Sequence, residues 1–73
     1  MEAEDYQRIR NELGLSQAEL ARVLEVKNPV TISHWETGFR SPDPMKKKIY
    51  RILDAMDSTQ KTEMIELLLK EGV

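Results

Sequence analysis

The sequence contains no cysteine, a single histidine (His34) and three isolated glycines in 73 residues. Without cysteine there are no disulfides and no thiolate metal sites, and the redox compartment is left open. One histidine and no cysteine leave no metal-ligand spacing and no nucleophile–base pair. Three scattered glycines form no phosphate-cradling loop. The acids are spread over helix faces, with no pocket to perturb them. The sequence therefore predicts no enzyme, no catalytic residue, no metal and no cofactor. No apolar run approaches the roughly 20 residues needed to span a bilayer, and the acidic opening MEAED is unlike a signal peptide. The expectation is a cytoplasmic protein with no membrane partner.

What is present fits one small domain over residues 1–73. Hydrophobic residues make up 40% and charged residues 33%, ordinary for a soluble globular chain. A domain of this size buries a modest share of its surface, so self-association would add useful stability. The net charge of −2 argues against a chain built only to grip phosphate. Its distribution qualifies that. Residues 57–73 carry four acids against Lys61 and Lys70, and residues 1–56 balance at nine against nine. Residues 39–51 hold Arg40, Lys46, Lys47, Lys48 and Arg51 against Asp43 alone.

The organising stretch is Ser16 to Gly38, SQAELARVLEVKNPVTISHWETG. Ser16 is a helix N-cap with Glu19 placed to complete a capping box. Leu20, Ala21, Val23 and Leu24 then form one apolar stripe. A second helix begins near Asn28 or Pro29, directs Ile32 and Trp35 inward, and stops at Gly38. Only three residues separate Leu24 from Asn28, which demands a sharp corner. Two short helices so joined predict a helix-turn-helix over 16–38.

Around it the chain reads as further helices. The first five residues look acidic and frayed, and a helix spans about Ala3 to Leu13 with Tyr6, Ile9, Arg10 and Leu13 inward; Gly14 ends it. After Gly38, two prolines punctuate a loop. Asp43 caps a helix over 44–56 with Met45, Ile49, Ile52, Leu53 and Met56 on its apolar side. A last helix over 58–71, capped by Ser58 or Thr59 and stopped by Gly72, carries Met64, Ile65, Leu67, Leu68 and Leu69. The fold class is all-α, a compact five-helix domain.

The segment Arg10 to Pro42 resembles the phage repressor and Cro-like family of helix-turn-helix DNA-binding domains. The matching residues are Leu13-Gly14-Leu15-Ser16-Gln17, Glu19-Leu20-Ala21, Thr31-Ile32-Ser33, Trp35-Glu36, Gly38 and Pro42. The resemblance implies a third helix that reads DNA bases through Asn28, Pro29, Val30, Ser33 and His34. It implies phosphate contact by Gln17, at a helix N-terminus where an amide and free N–H groups meet anions. Thr37, Arg40, Ser41, Lys46 and Lys47 complete the expected phosphate set. Arg10 and Glu36 are expected to pair structurally, with Trp35 in the core. Compared with the family, the turn before Ile32 has one extra residue, and Glu25 stands where glycine is frequent.

The function expected is a sequence-specific DNA-binding transcriptional regulator of phage or plasmid repressor type. Its partners would be double-stranded DNA and a second copy held through the C-terminal helix. The alternative is a small regulator that keeps the frame but binds protein, either host RNA polymerase or a toxin. Overall acidity and a recognition helix poor in Arg, Asn and Gln favour that rival.

Overall fold

The computed structural model describes residues 1–71 and contains five α-helices, with no strand among the described residues. They are α1 (Ala3–Leu13), α2 (Gln17–Val23), α3 (Pro29–Thr37), α4 (Pro44–Ala55) and α5 (Ser58–Glu71). Gly72, the expected stop of α5, lies outside the described residues.

Each helix starts where a side chain satisfies an orphan backbone group. The Glu2 N–H donates to the Asp5 carboxylate at 2.7 Å, so the acidic end is helical from Ala3 instead of frayed through residue 5. Ser16 and Glu19 form a reciprocal capping box, with bonds of 3.1 and 2.9 Å. Asn28 accepts from the Val30 N–H and Asp43 from the Lys46 N–H, each at 2.9 Å. The cap of α5 is Asp57, which exchanges bonds with Gln60 at 2.8 and 3.2 Å. Ser58 and Thr59, the expected caps, sit inside the first turn. A carboxylate with a glutamine three residues on makes the reciprocal pair that the hydroxyls do not.

The corner between α2 and α3 is built from backbone. The Glu25 N–H donates to the Arg22 carbonyl at 3.3 Å and the Val26 N–H to the Ala21 carbonyl at 2.8 Å. This is the Schellman closure, and it places Glu25 at φ 56°, in the left-handed region. Val26 then folds back against the core.

All five helices contribute to one hydrophobic cluster. Tyr6, Ile9, Leu20, Ala21, Val23, Leu24, Ile32, Trp35, Tyr50, Leu53 and Ile65 are its buried members. Helix α3 packs most extensively on α2 and α1. Tyr50 lies at the centre, fully buried, with its ring 4.7 Å from Tyr6 and 6.2 Å from Trp35 in tilted and edge-on arrangements that suit aromatic quadrupoles. The Tyr50 hydroxyl finds no partner among the described residues, and burial pushes its pKa up.

Tyr50 also corrects the expected face of α4. Met45 and Ile52 are 60% and 44% exposed, while Tyr50 and Leu53 are buried and Ile49 half-buried. The buried stripe is rotated toward Tyr50, because an aromatic ring fills the space between α1 and α3 that a methionine at the helix start cannot reach. On α5, Ile65 is buried and Leu67 is exposed. Among the described residues no helix is long and apolar enough to cross a membrane.

Candidate nucleic-acid interface

Ile32 and Trp35 are buried against α1 and α2 and fix the roll of α3. At 3.6 residues per turn, Val30, Ser33, His34 and Thr37 then fall on the opposite face. Pro29, Val30 and Thr37 are exposed there, while Ser33 and His34 are half-buried. His34 is partly covered by Phe39, whose ring lies 4.8 Å away. Asn28, at the leading end, is exposed, but its side-chain oxygen is engaged as the helix cap. The two amide N–H groups of Asn28 and the second lone pair of its oxygen remain available to a ligand.

Beneath this face lies a polar clamp. Arg10 Nε donates to Glu36 Oε2 at 2.6 Å and Arg10 Nη2 to Glu36 Oε1 at 3.1 Å, a two-pronged pair. Arg10 Nη1 donates to the Leu15 carbonyl at 2.9 Å. Both side chains are largely withdrawn from water, at 13% exposure for Arg10 and 4% for Glu36. The Glu36 bonds push the Arg10 pKa further up, against the opposing pull of burial. Gln17 joins the same carboxylate, its Nε2 donating to Glu36 Oε1 at 3.0 Å. Gln17 is thus oriented by Glu36, with one amide N–H used and the other left for a ligand. One side chain of α3 therefore ties α1 and the start of α2 to the outward-facing helix.

Flanking cations are disposed unevenly. Arg40 and Ser41 are exposed in the loop after α3, and the Arg40 N–H is fixed by the His34 carbonyl at 3.2 Å. The Arg40 guanidinium stands 5.6 Å from the Phe39 ring centroid, within cation–π range. Lys46 and Lys47 are half-buried in the first turn of α4, and Lys48 is exposed. Lys46 reaches its own cap Asp43 at 3.8 Å, which offsets part of its charge. Glu25 and Lys27 are both exposed at the corner ahead of α3.

Two features of the surface escape a reading by periodicity. Phe39 is 70% exposed, bridging His34 and Arg40; its only sequence signal is a large aromatic directly after the helix-ending Gly38. The bond from Gln17 to Glu36 spans 19 positions and has no local signature. No group of acidic or histidine residues suited to a metal ion occurs among the described residues.

A family model described as "Helix-turn-helix" matches residues 7–60, from within α1 to the first turn of α5. No curated protein and no solved structure matches the chain at a significant level.

Proposed function

Because the chain belongs to the phage repressor-like helix-turn-helix family, we propose that it is a sequence-specific DNA-binding transcriptional regulator whose α3 enters the major groove. The observation that carries this reading is the roll of α3, whose buried Ile32 and Trp35 leave a whole face outside the core. In helix-turn-helix proteins the leading residues of the second helix meet base edges while the first helix crosses the backbone. On that geometry Asn28, Pro29, Val30, Ser33 and His34 face the bases. Gln17, Thr37, Arg40, Ser41, Lys46 and Lys47 meet phosphates. A repressor-type role in the cytoplasm and pairing of two copies on a two-fold site belong to the same proposal. For the pairing surface, α4 and α5 offer a small apolar cleft of about 120 Å³ lined by Ile49, Ile52, Leu53, Met64 and Leu68.

The test is fluorescence anisotropy with a mixed-sequence duplex as salt rises from about 50 to 200 mM. Counterion release gives a log–log slope of roughly −0.9 per phosphate neutralised. Arg40→Ala is expected to weaken binding and flatten the slope by about one. A second reading, protein binding by the same frame, is favoured by the exposed Phe39 beside Arg40, since aromatic and arginine side chains anchor protein interfaces. Absence of duplex binding at the low-salt end would favour it, with RNA polymerase or a toxin as the partner to pull down.

A further inference from the structure

The leading end of α3 is poor in free hydrogen-bonding groups. Asn28 uses its oxygen to cap the helix, which leaves its amide N–H groups as the free donors there. Pro29 has no polar side-chain atom, and Val30 is the large apolar residue of this helix left in solvent, 52% exposed. Further along, the Thr37 hydroxyl donates back to the His34 carbonyl at 3.3 Å, and the His34 ring rests against Phe39. The first turn of α3 carries no acid, and Lys27 is exposed just ahead of it.

Burying a valine against the edge of a base pair is favourable only where that edge is apolar. Most major-groove edges present donors or acceptors, which Val30 would strip of water without replacing their bonds. The apolar exception is the C5-methyl group of thymine. We infer that Val30 is a specificity-determining residue whose ligand is a thymine methyl, with Pro29 widening the apolar contact. The half-site then contains an A·T pair of fixed orientation under the start of α3, read without a hydrogen bond. This rests on the groove-binding reading and adds to it the identity of one base pair.

The test begins with selection of sites from a random duplex pool by the full chain. The preferred site is resynthesised with deoxyuridine replacing thymine at one position at a time, which removes a methyl group and nothing else. Binding is expected to weaken about fourfold at one thymine in each half-site, the loss that accompanies one unburied methyl. In Val30→Ala, with folding checked by circular dichroism, the same replacement is expected to cost measurably less than the fourfold seen in the parent. Sequence-specific binding that tolerates deoxyuridine everywhere overturns the inference and leaves DNA binding intact. So does a deoxyuridine loss that persists undiminished in Val30→Ala. Failure to bind any duplex overturns both readings.

Discussion

Gly14 and Glu25 occupy the same position in two copies of one helix ending. After α1, Gly14 and Leu15 donate to the Asn11 and Arg10 carbonyls; after α2, Glu25 and Val26 donate to Arg22 and Ala21. Both central residues take positive φ, 73° for Gly14 and 56° for Glu25. Glycine adopts that conformation freely, whereas a residue with a Cβ loses roughly 1–2 kcal/mol there. Glu25→Gly is therefore expected to stabilise the chain by about 1 kcal/mol, seen as a rise in Tm of roughly 4–8 °C. An unchanged or lower Tm would mean that the corner holds Glu25 by contacts beyond its backbone.

The Arg10–Glu36 pair makes a prediction of opposite sign. Glu36→Ala leaves the guanidinium of Arg10 and the amide of Gln17 without their acceptor in a site largely closed to water. Loss of one partner of a buried pair costs about 3–5 kcal/mol, enough to leave so small a domain partly unfolded. Replacing both partners together, as Arg10→Met with Glu36→Leu, is expected to recover most of that loss. Urea denaturation of the two single variants and the double variant measures it. Additive losses would show that the pair has no energetic coupling.

Tyr50→Phe removes a buried hydroxyl that has no partner among the described residues and keeps the ring contacts with Tyr6 and Trp35. An unsatisfied buried polar group costs about 1–3 kcal/mol, so the phenylalanine variant is expected to be at least as stable as the parent. A clear fall in Tm would instead reveal a bond made by that hydroxyl.

Acid sensitivity follows from two carboxylates. The Ser16 backbone N–H, and then the Ser16 hydroxyl, hold the Glu19 pKa below its ordinary 4.5. The Arg8 guanidinium, bonded in two places to Asp54, holds that carboxyl below its ordinary 3.8. The folded chain then binds fewer protons than the unfolded chain in this window. The stabilisation is complete above the ordinary values and drains away as pH falls through the depressed ones. Stability measured from pH 7 to pH 3 is expected to decline below about pH 4.5. Glu19→Gln keeps the capping bond without the charge and should show a shallower decline; an identical profile would remove Glu19 from the account.

Much of the fold is legible because its signals are local. Ser16 with Glu19, Asp43 before Pro44, and Ile32 with Trp35 each act within one or two turns, so the five helices can be placed from neighbouring residues alone. Tyr50 illustrates what is not. Its central position depends on the space between α1 and α3, and a count of apolar residues along α4 selects Met45 and Ile52 in its place. Asp57 outcompetes Ser58 as a cap because Gln60 answers it, a choice between adjacent candidates that propensity alone leaves open. At the candidate interface, the residues that face outward follow from the helical period. What each polar atom is already bonded to does not: Asn28 and Gln17 come partly engaged, and Phe39 comes from a loop that no period describes.

The Glu36 carboxylate of α3 bonds to groups from the two preceding helices, and it does so before any ligand arrives. Side chains and loops that must be immobilised on association subtract from affinity, each by about 0.5–1.5 kcal/mol. Here the tilt of α3 and the pose of the Gln17 amide are already set by Arg10 and Glu36 when the chain folds. The outward-facing helix and its neighbour therefore meet a target as a rigid unit, and little conformational freedom is left to be lost at the moment of contact.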